Sequence, residues 1–276
     1  MTTASAPASS ANLGPAFDVM ALALDLRCRV SARRSDAWRV TSGGVAATPE
    51  TVEMVRRVAG GPGSFEVEID SDIPAGRGLG SSAAVLVAAA AAMAGGIDQE
   101  HIFELAGAVE GHLDNVAAAT YGGLVAVAGG EAVHRLGVHP SLQVAIAVPD
   151  AELSTAAARE ALSAEIPRAV AVRTAARVAM LVEGLRTANP VTLAAALGDE
   201  MHETARAAMT ERPARLIDAA LSGGALYASW SGAGPSVIAF ADEVVLDQVI
   251  GILEAELGDD GRVVDLEIDR TGVRLE

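Results

Sequence analysis

With 276 residues, 51% of them hydrophobic, the chain suits one large domain or two small ones around a sizeable core, although aromatics make up only 3%. The net charge of −16, with every basic residue an arginine, argues against a nucleic-acid partner, because phosphate binding needs basic patches. The single cysteine, Cys28, excludes an internal disulfide framework, and no apolar run reaches the ~20 residues of a membrane helix. The first residues, Ala4-Ser-Ala-Pro-Ala-Ser-Ser10, are small and of low complexity; taken alone they suit a disordered tail. Ala11 to Asp18 is a turn-rich loop with Asn12, Gly14, Pro15 and Asp18. Short strands are expected at 21–26, 27–31 and 38–41. A helix then opens at Pro49 or Thr51 and runs to about Ala59, where Gly60-Gly-Pro-Gly63 ends it.

The stretch Ile73-Pro-Ala-Gly-Arg-Gly-Leu-Gly-Ser-Ser-Ala-Ala84 organises the first half. Before it, Phe65 to Asp70 alternates apolar and acidic residues and reads as a strand; after it, an Ala/Val run to Met93 reads as a buried helix. Strand, glycine loop and helix start together make an anion site, most often for phosphate. It is not a Walker A loop, since the chain has no lysine, and not a dinucleotide fingerprint, since Ser81 stands where a third glycine belongs. From these residues alone, a serine-capped turn with no ligand fits equally well.

Further along, Gly95-Gly96 ends that helix and Asp98 caps another from Gln99 to Glu110. Glu110-Gly-His-Leu-Asp-Asn115 packs four polar groups into six residues. Strands are expected at 124–128 and 133–136, joined through Gly129-Gly130. Gly137 to Ser141 marks a boundary between domains 1–139 and 140–276. The second half reads as a strand at 142–148, helices at 156–164, 168–187, 191–208 and 214–221, strands at 225–230 and 236–240, a helix at 244–257 and a last strand at 263–268. Ser231-Gly-Ala-Gly-Pro235 is a further glycine loop, and the pattern is α+β, without regular βαβ repeats.

Three Gly/Ser loops, near residues 14, 80 and 234, together resemble the three signature motifs of the GHMP kinase superfamily. Pro7-Ala-Ser-Ser-Ala-Asn-Leu-Gly14 with Phe17-Asp18 resembles the first, Pro74 to Ala84 the second, and Ser229-Trp-Ser-Gly-Ala-Gly-Pro235 the third. The first motif, Glu110-Gly-His-Leu-Asp-Asn-Val-Ala117, and Ser154-Thr155 with Arg159 and Leu162 are most similar to the homoserine kinase branch. The resemblance implies a two-domain α+β fold. Its N-terminal domain is like the second domain of ribosomal protein S5, its C-terminal domain is ferredoxin-like, and ATP lies between them. The implied activity is phosphorylation of the homoserine hydroxyl on the route to threonine. Another small-molecule GHMP kinase and a non-catalytic ligand-binding member are the alternatives.

The resemblance also implies roles. Pro74, Ala75, Gly76, Arg77, Gly78, Leu79, Gly80, Ser81, Ser82, Ala83 and Ala84 would wrap the ATP phosphates. Ser82 and Glu104, eight residues before His112, would hold Mg²⁺. Asn12, Asp18, His112, Asn115, Thr155, Arg159 and Arg215 would form the amino-acid site, with Asp18 on the ammonium, Arg159 and Arg215 on the carboxylate, and His112 and Asn115 on the hydroxyl. Asn115, Arg159 and Ser82 would carry catalysis. The position where some branches place a base aspartate is Asn115, so no protein base is expected, and the proton leaves to phosphate or solvent. Ala16 replaces a glycine of the first motif, Leu113 replaces a proline, and Glu211-Arg-Pro-Ala-Arg215 departs from the family's E-P-x-R. The partners expected are ATP and a small amino acid, with no nucleic acid or membrane, a possible homodimer, and a cytoplasmic location. The acidic, lysine-free composition fits high-salt adaptation and a GC-rich genome equally.

Overall fold

In the computed structural model, which describes residues 1–129 and 132–276, two sheets carry the fold. The chain begins with β1 (Thr2–Ala11), β2 (Met20–Ser35), β3 (Arg39–Ser42), β4 (Val45–Ala46), α1 (Pro49–Val58) and β5 (Ser64–Ser71). Next come α2 (Ser81–Ala94), α3 (Gln99–Glu110), α4 (Leu113–Tyr121), β6 (Leu124–Ala128), β7 (Ala132–Leu136) and β8 (Leu142–Pro149). The rest is α5 (Thr155–Glu160), α6 (Arg168–Thr187), α7 (Pro190–Ala196), α8 (Glu203–Ala207), α9 (Arg212–Ser222), β9 (Tyr227–Trp230), β10 (Val237–Asp242), α10 (Leu246–Leu257), β11 (Gly261–Leu266) and β12 (Arg274–Leu275). The first sheet has the order β12-β1-β2-β5-β3-β4, with β6 and β7 branching from β2; the second has the order β11-β8-β10-β9.

The expected N-terminal tail is instead a fully buried strand: Ala4 to Ala11 are all inside. Their small side chains let α2 and α4 lie close against β1. Pro7, which has no N–H to give, sits where the β1–β2 register shifts. The two strands expected at 21–31 are one strand of sixteen residues, whose start pairs with β6 and whose end pairs with β5. The expected turn at Gly129-Gly130 falls partly on residue 130, outside the described residues.

α2 has no polar face, because it is covered all round, and alanine makes close approach to the sheet possible. The helix expected at 191–208 is two helices. Gly198, at φ +80°, leaves the helical region, and the Asp199 carboxylate then accepts from the backbone N–H groups of His202 and Glu203 (3.0 Å to the latter). Beyond that break, His202 comes within 2.9 Å of the Gly14 carbonyl and Arg206 reaches the cleft lining. β12 brings the chain end back to β1, behind a buried ion pair of Arg27 with Asp269. Among the described residues no helix is long and apolar enough to cross a membrane.

Candidate active site

A cleft of about 280 Å³ lies where the three glycine loops meet. Its floor is the loop before α2. Gly76, Gly78 and Gly80 all have positive φ (+68°, +72° and +63°), a region that residues with a Cβ adopt at a cost. At Gly78 a Cβ would also stand 2.0 Å from the Ser231 carbonyl oxygen, so the second and third loops touch there. The Ser231 hydroxyl locks this contact by donating to the Gly78 carbonyl at 2.7 Å. At Gly80 a Cβ would meet the Ser9 hydroxyl at 2.1 Å and Asn115 Oδ1 at 2.9 Å. Gly80 is also the N-cap of α2 and offers no side-chain cap, and the first turn holds no acid. The first N–H groups of α2 are therefore left for an anionic ligand.

Opposite the loop, Glu110 ends α3 and faces α2: the Ser82 hydroxyl donates to its carboxylate at 2.6 Å. His112 lies 3.5 Å from the same carboxylate, which raises the imidazole pKa by hydrogen bonding. Asp114 is buried at the start of α4, where desolvation pushes its pKa up to about 6. One of its oxygens accepts from the Asn115 N–H at 2.8 Å; the other lacks a partner among the described residues.

At the far end, Arg159 on α5 makes a two-point pair with Asp18, at 2.9 and 2.8 Å. Arg206 on α8 also lines the cleft, although it is almost fully buried; it donates to the Gly232 carbonyl at 3.0 Å. The first loop between them is strained: Asn12, Leu13 and Asp18 have φ of +71°, +45° and +56°. Asn12 holds it from inside, accepting from the Asp18 N–H at 3.0 Å and donating to Gly232 at 2.9 Å.

Residues 47–123 match the GHMP kinases N terminal domain, and residues 181–259 match the GHMP kinases C terminal domain. The homoserine kinase of Deinococcus radiodurans is 34% identical over 99% of this chain and 96% of its own. That of Thermus thermophilus is 36% identical over 95% of this chain and 94% of its own. The chain belongs to the homoserine kinase family of the GHMP kinases. A solved homoserine kinase from Cytophaga hutchinsonii superposes with a TM-score of 0.87 at 26% identity, over 100% of this chain and 97% of that one. An L. major mevalonate kinase, at 15% identity and a TM-score of 0.72 over 96% of this chain and 95% of that one, shares the fold.

Most of the residues expected at a kinase site meet in this cleft. Pro74, Ala75, Gly76, Gly78, Leu79, Gly80, Ser81 and Ser82 line it, as do Asn12, Asp18, His112, Asn115, Thr155 and Arg159. Arg77 instead turns outward to Glu152 (2.7 Å) and the Asp150 carbonyl (2.5 Å), while Ala83 and Ala84 are buried beneath the helix start.

Two expectations are corrected. Glu104 does not face the cleft: it sits 69% exposed beside His101 and borders a separate hollow on α3. Six residues of helix advance the chain by 600°, so Glu110 points about 120° away from Glu104, and Glu110 is the one aimed at Ser82. Arg215 is likewise outside, paired with Glu256 at 3.1 Å on the surface of α9. The arginine of this region that lines the cleft is Arg206. The sequence signal was present, since Glu203-Thr-Ala-Arg206 matches E-P-x-R with Thr204 in place of the proline. The departures in the motifs cost little: Ala16 is buried without positive φ, and Leu113 stands at the first position of α4, where proline is common because its missing N–H is not needed.

Proposed function

We propose that the chain transfers the γ-phosphoryl group of ATP to the side-chain hydroxyl of homoserine. The observation that carries this reading is the shared cleft: an uncapped helix start with a hydroxyl–carboxylate pair at one end, and paired opposite charges suited to a zwitterion at the other. The loop Gly76 to Ser82 and the first N–H groups of α2 would hold the triphosphate. Met54 of α1 and Val85 of α2 give the cleft an apolar side for the adenine.

Ser82 and Glu110 fit Mg²⁺. They are two hard oxygen donors at the head of the phosphate-binding helix, and this cation keeps waters and takes its remaining ligands from phosphate. A cation held by Ser82 and Glu110 would supply charge neutralisation to a bound triphosphate.

The acceptor amino acid supplies an ammonium, a carboxylate and a hydroxyl. Asp18 and the unpartnered oxygen of Asp114 serve the ammonium, and Arg159 and Arg206 the carboxylate. His112 and Asn115, at the start of α4, orient the hydroxyl toward the phosphate end. Transfer passes through a loose, charge-rich transition state, so position and electrostatics do most of the work. The hydroxyl proton passes to phosphate or solvent.

A magnesium-dependent ATPase assay coupled to a panel of hydroxy amino acids, run at low and at molar salt, tests this reading. Turnover with homoserine above the other acceptors is expected. No turnover with any acceptor would reject a kinase role.

A further inference from the structure

The sequence Asp199-Glu-Met-His-Glu-Thr-Ala-Arg206 places His202, the N-cap residue of α8, four residues before Arg206. His202 is fully buried and does not line the cleft. Its Nδ1 lies 3.1 Å from Arg206 Nη1, and its Nε2 lies 2.9 Å from the carbonyl oxygen of Gly14. A guanidinium only donates, so Nδ1 must be the acceptor. The ring proton then sits on Nε2 and is donated to Gly14. Burial lowers the pKa of His202, which keeps the ring neutral at neutral pH and the Nδ1 lone pair available.

The ring therefore joins two parts of the acceptor site. On one side is the strained first loop, which β9 also grips through the Tyr227 hydroxyl donating to the Leu13 carbonyl at 2.8 Å. On the other is Arg206, whose further hydrogen bonds among the described residues go to carbonyls, Gly232 at 3.0 Å and Ala158 at 3.3 Å. Phe17, from the first loop, stacks on the ring with centroids 5.1 Å apart. It also lies beneath both arginines, 5.6 Å from Arg159 and 5.5 Å from Arg206.

We propose that His202 is the positioning residue of the acceptor site, fixing the Arg206 guanidinium against the Gly14 loop and so setting where the carboxylate of the amino acid binds. This rests on the reading that Arg206 receives that carboxylate. His202 touches no substrate, so its effect should fall on acceptor affinity and on acceptors that carry a carboxylate.

The test is steady-state kinetics of the full chain with two acceptors, homoserine and its carboxamide, which keeps the amino group but lacks the carboxylate charge, for wild type, His202→Asn, His202→Gln and Arg206→Gln. Asparagine places an oxygen near the position of Nδ1 and keeps an acceptor for Arg206. Glutamine reaches toward Gly14 and leaves Nδ1 without a replacement. Losing a hydrogen bond to a charged group should raise the KM for homoserine about tenfold in His202→Gln. The rise should stay below about threefold in His202→Asn, with kcat and the KM for ATP nearly unchanged in both. With the carboxamide the His202→Gln penalty should vanish. An equal penalty on both acceptors would reduce His202 to a packing residue and overturn the proposal. So would an unchanged KM in His202→Gln beside a raised one in Arg206→Gln, which would leave the reading of Arg206 standing. An unchanged KM in Arg206→Gln would instead remove the carboxylate reading itself. If His202→Gln does not fold, His202→Asn decides alone: a homoserine penalty of tenfold or more, or an equal one on the carboxamide, overturns the proposal.

Discussion

At the proposed phosphate end of the cleft the walls are mostly backbone, whereas at the proposed amino-acid end they are side chains. The phosphate loop is walled in by Ser231, Gly234, Ser9 and Asn115, so its shape is fixed by chain segments from both halves of the sequence. The acceptor end draws Thr155 and Arg159 from α5, a helix whose only buried residue is Ala158, and Arg159 is 44% exposed. Backbone N–H groups are the same whatever residue carries them, so a cradle made from them outlasts change in the rest of the sequence. Side chains on a small exposed helix are easily exchanged.

The comparison breaks most visibly at Gly78. Gly78→Ala places a Cβ 2.0 Å from a backbone oxygen at a φ of +72°. Strain and overlap should cost at least about 3 kcal/mol of stability, read from urea unfolding, together with loss of turnover. Next in size is the hydroxyl–carboxylate pair. Ser82→Ala and Glu110→Gln should each lower kcat by ~10²-fold or more, since a metal-supported transition state is worth several kcal/mol. Their melting temperatures should barely move. Glu104→Gln should leave kcat as it is; a loss there equal to that of Glu110→Gln would restore Glu104 as the metal ligand.

That pair also shows how far the sequence could be read. The three glycine loops were legible because strand, glycines and helix are local patterns, and their meeting followed from the family resemblance. Glu104 and Glu110 lie on the same helix, and choosing between them requires the direction in which α3 faces, which is set by α2 and α4. Arg206 was hidden for a related reason. The helix read through 191–208 is broken at Gly198-Asp199, and only that break turns α8 and its arginine into the cleft. The N-terminal strand was missed because its burial depends on partners distant in sequence, which small residues do not announce.

A smaller effect is expected at Asp114. Burial pushes its pKa up to about 6 in the folded chain, from the ordinary aspartate value near 4. A carboxylic acid with a raised folded pKa opposes folding when ionised. The penalty is absent below about pH 4, grows between pH 4 and 6, and is fully present above. Its ceiling is on the order of 3 kcal/mol. Asp114→Asn should therefore raise stability at pH 8 and leave it unchanged at pH 4, as measured by urea unfolding at the two pH values. The same variant should raise the KM for homoserine and change kcat less than about tenfold. A loss of ~10²-fold or more in kcat with unchanged KM would mark Asp114 as a general base.

The mildest change tests the exposed end directly. Arg159→Gln removes a guanidinium that Asp18 already engages through two hydrogen bonds. An exposed pair is worth only ~0–1 kcal/mol to the fold, so stability should scarcely change. On the proposed reading, however, the acceptor carboxylate loses one of its two cations, and the KM for homoserine should rise about tenfold, equivalent to ~1.4 kcal/mol. The KM for ATP should stay put, because the hydrogen bonds between the phosphate loop and this part of the chain are made by Asp150, Glu152 and Leu153, ahead of α5, and none involves Arg159. Arg215→Gln, which breaks only a surface pair with Glu256, should change neither constant. If Arg159→Gln raised both KM values together, the two ends would be mechanically coupled, and the side-chain end could not vary independently of the backbone one.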